Sequence, residues 1–296
     1  MEYLIHLAIL IGIYGILGLS LNLVVGYTGL LSITHAAFYG LGAYVTAILL
    51  TGFGVNFFLA MLVGVIITAI LSLIIGAILS RFRGDYYALG SFGFNVILFS
   101  IFLNWQEVTR GPLGIPGIAR PEIDLRFMIQ DLRIVFSSNW SFLILTACFL
   151  LLCYLLSRFI VNSSFGRVLK AIREDEAAIQ VFGYHTSYYK LTIFVIGAAL
   201  AAVAGALFAS YITFIDPSTF TLNESIFILA IIILGGLASN RGALLGAVAL
   251  VLLPEALRFV GFPSDIAAQM RQVVYGLLLI ILMLYRPQGL VGEYRL

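Results

Sequence analysis

Long apolar runs with few interruptions set the pattern of this chain. From Tyr3 to Ser80 no Asp, Glu, Lys or Arg occurs, a length that a bilayer accommodates as about three helices of about 20 residues each. Further on, apolar runs alternate with polar ones, and the whole pattern predicts spans near 3–25, 29–50, 58–80, 86–104, 140–160, 191–212, 225–238, 243–260 and 270–285. The expected fold class is all-α, a polytopic integral membrane helical bundle of about nine transmembrane segments, bounded at about eight to ten. One segment is short: 225–238 gives about 21 Å against a hydrocarbon core of about 30 Å, and so is expected to be tilted or re-entrant. The nine segments are expected to form one transmembrane domain over 1–296, interrupted by two polar segments, 105–138 and 161–190.

These two segments read differently. The first is rich in Gly, Pro and balanced charge and holds Gly111-Pro112-Leu113-Gly114-Ile115-Pro116-Gly117, which predicts turns. In the second, Ser163 or Ser164 can cap a helix and Gly183 can end it, while Val168, Ile172, Ile179 and Phe182 recur at helical spacing opposite charged residues. That pattern predicts a short amphipathic helix. Its acidic run Glu174-Asp175-Glu176 disfavours an anionic lipid surface and favours a protein partner over an interfacial role.

Composition strengthens the membrane reading: 62% of residues are hydrophobic, 10% are charged, and the mean hydropathy is +1.10. Ten of the sixteen Lys and Arg fall on one side when 161–190 is placed in the cytoplasm: Arg81, Arg83, Arg158, Arg167, Lys170, Arg173, Lys190, Arg241, Arg286 and Arg295. The positive-inside rule then makes 105–138 an outer loop and the C-terminus cytoplasmic. The N-terminus reads as a first membrane helix, not a cleaved signal. No basic stripe supports nucleic-acid binding, and Cys148 and Cys153 fit packing better than metal or redox chemistry.

Small residues four apart at Gly197, Ala201, Gly205 and Ala209, and again at Gly242 and Gly246, predict close helix packing. Asn22, Gly26-Tyr27-Thr28-Gly29, Ser32, Thr34 and His35 place polar groups and glycines within an apolar context. Two readings stand side by side. Either a helix is broken where it lines a cavity, or Gly26–Gly29 is a tight turn with Asn22 and His35 satisfied between helices. His35 has no neighbouring ligand set, so no metal is expected. There is no Gly-x4-Gly-Lys-Ser/Thr motif with which to bind a nucleotide. Acids are scarce in the spans, and Glu224 and Glu255 are expected near span ends, which counts against an ion-coupled pump. No enzyme constellation and no cofactor site stands out.

The run Leu21-Asn22-Leu23, Gly26-Tyr27-Thr28-Gly29, Ser32, His35-Ala36-Ala37-Phe38 and Gly42-Ala43-Tyr44 resembles the N-terminal signature of branched-chain amino-acid ABC importer permeases, the LivM/LivH family. The likeness continues at Asp85–Leu89, Thr109–Gly114, Phe165–Ala178, Leu234-Gly235-Gly236-Leu237 and Arg286-Pro287-Gln288-Gly289-Leu290, and its pattern is nearest the LivM type. Thr34, Arg110 and Ala238 depart from it, each standing where glycine is expected.

The resemblance implies a permease subunit without an ATP site of its own, in a bacterial or archaeal inner membrane. It implies two cytoplasmic ATPases, a second homologous permease in a heterodimer, and an extracytoplasmic binding protein. Urea, an amide or another amino acid is the alternative cargo, and a self-contained carrier or channel is the alternative class. The resemblance places ATPase coupling in the segment holding Gly166, Arg167, Arg173, Glu174, Asp175, Glu176, Ala177 and Gly183, where Glu176-Ala177-Ala178 is similar to a docking motif. The expected substrate path runs along Asn22, Thr28, Ser32 and His35, with Gly26 and Gly29 allowing the backbone to bend.

Overall fold

The computed structural model describes residues 2–82, 84–124, 133–136 and 138–258, together with 273–274, 276–277, 280–281, 284–285 and 288–292. Its long helices are α1 (Glu2–Leu21), α2 (His35–Phe53), α3 (Phe57–Leu79) and α4 (Asp85–Asn104). A single turn, α5 (Gln106–Thr109), precedes α6 (Asn139–Asn162). The polar helices α7 (Ser164–Glu174) and α8 (Glu176–Val181) lead into α9 (Thr186–Ile212), α10 (Leu222–Gly235) and α11 (Asn240–Arg258).

Among the described residues, six helices are long and apolar enough to cross a membrane: α1 with its continuation to Gly26, α2, α3, α4, α6 and α9. They match the first six expected spans, except that α2 begins at His35 and not near residue 29. Half of the expected span 270–285 lies outside the described residues.

Burial separates these helices into two sets. α1, α2 and α9 bury 67%, 56% and 61% of their most apolar stretches, whereas α3, α4 and α6 bury 28%, 28% and 22%. The first set is therefore the core. The second turns apolar rows such as Leu59, Leu62, Ile66 and Ile70 outward, a surface that a bilayer tolerates. Close packing of the core follows from small residues, since apolar burial alone drives little association between helices in lipid. A Cβ on Gly205 would stand 2.1 Å from the Tyr39 carbonyl oxygen, and one on Gly42 would stand 2.4 Å from the Ala202 Cα. The ridge expected from the sequence is thus the α2–α9 contact. Gly246 does the same between α10 and α11, 2.0 Å from the Ile231 carbonyl oxygen.

α10 is the short segment. Its 14 residues reach about 21 Å, and α11 follows at a bend of 120°. The chain enters α10 through a 3-10 turn, Pro217–Phe220, set by Asp216, which accepts hydrogen bonds from Ser218 and Thr219 at 2.5 and 2.7 Å. Phe220 is fully buried among Tyr39, Tyr44, Phe102 and Phe208, with ring centroids 5.1 to 6.4 Å away. That aromatic anchor draws the start of α10 into the bundle.

The segment expected to hold turns alone contains strands as well. β1 (Ile115–Pro116) pairs antiparallel with β4 (Phe214–Ile215), tying the loop after α4 to the end of α9. β2 (Glu122–Asp124) pairs with β3 (Arg133–Val135). Backbone groups released from helices there find partners in each other.

The single amphipathic helix expected over 161–190 is two helices. Ser163 caps the first by accepting from Gly166 N at 3.3 Å. At Asp175 the backbone turns extended (φ −154, ψ 98), and its carboxylate accepts from Ala178 N at 3.0 Å, capping the second. An Asp that caps competes with the helix it interrupts. The break rotates the second helix relative to the first: Leu169 and Ile172 are buried, but Phe182, expected on the same face, is 77% exposed.

Candidate functional site

The polar residues singled out in the first two spans meet at the end of the bundle that carries α7 and α8. There α1 widens into a π-helical turn, Asn22–Gly26, closed by the Tyr27 N–H bonding to the Asn22 carbonyl. Such turns arise where a helix carries an extra residue and commonly mark functional positions. Asn22 is fully buried. Its Oδ1 accepts from Ala238 N at 3.0 Å and its Nδ2 donates to Asn240 Oδ1 at 3.5 Å, which ties α1 to the bend between α10 and α11. Gly26 makes this possible, because a Cβ there would lie 2.0 Å from Asn22 Oδ1 and 2.7 Å from Ala238 N.

Beyond Gly29 (φ +72) residues 29–34 are not helical, and α2 starts at His35. His35 Nε2 lies 2.9 Å from Ser20 Oγ. Ser20 is six residues before Gly26, so α2 begins about 9 Å inside the bundle at 1.5 Å per residue. The freed backbone is satisfied by side chains, as Ile33 N donates to Ser91 Oγ at 3.0 Å and Ala36 N to Ser225 Oγ at 3.1 Å. Thr28 Oγ donates to the Val24 carbonyl at 2.5 Å, and Ser32 Oγ lies 3.4 Å from Thr34 Oγ. The non-helical stretch falls between the first and second spans, α2 itself runs unbroken, and the Asn22 amide and His35 Nε2 bond between elements.

Two other signature stretches reach the same place. Leu290 N and Val291 N donate to the carbonyls of Leu234 and Gly235, both at 2.9 Å, which satisfies acceptors that the end of α10 leaves open. The approach is close enough that a Cβ on Gly289 would lie 2.6 Å from Gly236 Cα. The α7 helix completes the joint, with Arg173 Nη1 donating to the Gly26 carbonyl and Lys170 Nζ standing 5.6 Å from the Tyr27 ring centroid.

The expected coupling residues take different positions. Gly166 is buried beneath the end of α6, where a Cβ would meet the Val161 carbonyl oxygen at 2.2 Å. Arg167 donates to Ser164 Oγ at 2.9 Å. Glu176 turns inward: it pairs with buried Lys190 at 2.5 Å and accepts from Thr186 at 2.9 Å, fixing α8 to the start of α9. Glu174, Asp175, Ala177 and Gly183 are exposed, next to Val181 at 87% and Phe182. The outward surface of α8 is therefore more apolar than the acidic run implied.

A second polar region lies where sequence reasoning does not place it. Glu224, expected near a span end, accepts a hydrogen bond from Tyr14 Oη at 2.7 Å. Tyr14 is the central residue of the 25-residue helix Glu2–Gly26, about 18 Å from either end. Glu224 thus stands at mid-depth, because α10 starts inside the bundle and the end of this helix is not the end of the membrane. Beside it is a cavity of about 740 Å³, whose polar lining includes His6, Tyr14, Thr221, Asn223, Glu224 and Glu255. An acid beside a short apolar run was the available signal.

Comparison with known proteins agrees with this architecture. The family described as "Branched-chain amino acid transport system / permease component" matches residues 3–283. The chain is 35% identical to the high-affinity branched-chain amino acid transport system permease protein LivM of Salmonella typhimurium, over 98% of this chain and 70% of that one. It is 28% identical to the permease protein BraD of Pseudomonas aeruginosa, over 95% of this chain and 92% of the relative. To LivH of Salmonella typhimurium the identity is 29%, over 95% and 91%. No solved structure matches. With a match from residue 3 to residue 283 and a bundle of membrane-crossing helices, the chain belongs to the family of branched-chain amino acid transport permeases.

Proposed function

We propose that this permease is one of two in an ATP-driven importer that carries branched-chain amino acids across the cytoplasmic membrane of a bacterium or archaeon. The observation that carries the mechanism is the contact of Arg173 with the Gly26 carbonyl, which joins the polar helices outside the bundle to the break inside it. An ATPase bound on the exposed surface of α8, at Ala177, Val181 and Phe182, displaces α7 and α8 together. Arg173 passes that displacement to the stretch Gly26–Ser32, which acts as the inner gate of the substrate path. Glu176 and Lys190 hold α8 to α9, so the core moves with it and not the lipid-facing set.

The basic residues support this orientation, with α7, α8 and the C-terminus cytoplasmic; residues 288–292, packed at the same end, agree with it. A different permease, LivH, from the same organism as the LivM relative also resembles this chain, which supports a heterodimer. A binding protein outside the cell and two ATPases inside complete the assembly, and 1–296 serves as its single transmembrane domain.

The test is Arg173→Ala in the complete importer reconstituted into proteoliposomes. Leucine uptake per ATP hydrolysed is expected to fall about tenfold, the loss of a charge-assisted hydrogen bond, with the ATPases still co-purifying. Unchanged uptake per ATP would exclude this route of coupling.

A further inference from the structure

The joint at Gly26 is filled, and none of its residues faces the mid-depth cavity. The cavity has features of a binding site in its own right. At about 740 Å³ it falls in the range of small-molecule pockets. Its polar side holds two carboxylates, Glu224 and Glu255, and the imidazole of His6, whose Nδ1 lies 2.6 Å from Tyr211 Oη; the described lining residues include no Lys or Arg. Its other walls are apolar, with an aliphatic stretch of Leu7, Leu10, Ile226 and Leu250 beside Phe227. Among the described residues the Glu224 side chain has one hydrogen bond, from Tyr14 to Oε1, so the second oxygen is available to a ligand. A carboxylate at this depth is costly to keep and is expected to have a functional partner.

We propose that Glu224, held by Tyr14, binds the α-ammonium of the amino-acid cargo, with the aliphatic wall receiving its branched side chain. The assignment rests on the importer reading above and adds the group that recognises the cargo. An ammonium supplies what Glu224 lacks among the described residues: a cationic partner with several N–H donors. Oε2 accepts one of these while Tyr14 fixes the carboxylate through Oε1. The aliphatic wall discriminates by shape and apolarity, and Glu224 discriminates an amino acid from an uncharged or anionic molecule of the same shape. Tyr14 acts through Glu224 and is a positioning residue.

The complete importer in proteoliposomes, supplied with radiolabelled leucine, tests this directly. Uptake is expected to drop about tenfold or more in Glu224→Gln, to recover in part in Glu224→Asp, and to fall about threefold in Tyr14→Phe, in line with the loss of a charge-assisted bond and of its support. Binding is read separately by maleimide labelling of Asn223→Cys in a chain whose Cys148 and Cys153 are replaced by alanine. Leucine is expected to protect that cysteine, while 4-methylpentanoate, which lacks the ammonium, is not. Protection by leucine is expected to vanish when Glu224→Gln is added.

Uptake by Glu224→Gln within about twofold of the parent, or equal protection by 4-methylpentanoate, overturns the assignment while leaving the importer reading intact. If the parent importer carries no leucine, the importer reading itself fails. Should Glu224→Gln not co-purify with its partners, Glu224→Asp and the labelling of the parent chain decide the matter.

Discussion

At the α7–α8 end of the bundle, Asn22 Oδ1 is bonded to Ala238 N at 3.0 Å, and a Cβ on Gly26 would come within 2.0 Å of the same oxygen. At mid-depth, Glu224 takes one hydrogen bond from Tyr14 and borders a cavity of about 740 Å³. Both regions are polar groups set among apolar helices. At the first, the Asn22 amide is paired internally and the space at Gly26 is filled, as a mechanical joint requires. The second has room and a carboxylate with an available oxygen, as a binding site requires. A polar residue in a membrane bundle is therefore informative only once its partners are counted, because a satisfied group stabilises and an unsatisfied one awaits something.

Substitutions sharpen the contrast, and the largest effects belong to the joint. Gly26→Ala places a methyl where Asn22 and Ala238 meet. The expected loss is about 3 kcal/mol, combining overpacking with a broken buried hydrogen bond, read as a lower melting temperature in detergent. Asn22→Ala leaves the Ala238 N–H without its acceptor and is expected to cost about 2 kcal/mol. A melting temperature unchanged in both variants would show that the joint does not stabilise the bundle.

Backbone conformation gives a smaller effect of opposite sign. Arg110 and Ala238 both adopt positive φ, +59 in each case, a conformation that costs an L-residue about 1 kcal/mol or more. Arg110→Gly and Ala238→Gly are each expected to stabilise by about 1 kcal/mol, measured by the same melting assay. Thr34, at φ −90, has no such strain, so Thr34→Gly is expected to destabilise slightly through chain entropy. On the cavity side the effect is smallest: Asn223→Ala, at an exposed position, is expected to alter stability by no more than about 0.5 kcal/mol.

The long helices are legible in the sequence because apolar length is a strong signal in a membrane protein. So are the cap at Ser163, the small residues between α2 and α9, and the stretch Gly26–His35. Three features are not, for physical reasons. Asp175 reads as surface charge, yet its carboxylate caps a new helix and turns Phe182 outward. Glu176 reads as a docking residue, yet Lys190 and Thr186 draw it inward. Glu224 reads as a residue near a span end, since periodicity along one segment carries no information on the depth at which that segment begins. That depth is set by Phe220 and four aromatic rings from other helices, a tertiary cause invisible in local pattern. The three departures from the family signature are all visible as substitutions, but only φ separates the two strained positions from Thr34.

The division between joint and binding site is tested most directly by measuring melting temperature and leucine uptake together for Asn22→Ala and Glu224→Gln in the same reconstituted importer. Asn22→Ala is expected to lower the melting temperature, with uptake falling only as the folded fraction falls, and Glu224→Gln to lose uptake while its melting temperature holds. A Glu224→Gln importer with normal uptake, or an Asn22→Ala importer that melts normally and has lost leucine binding, would contradict that division.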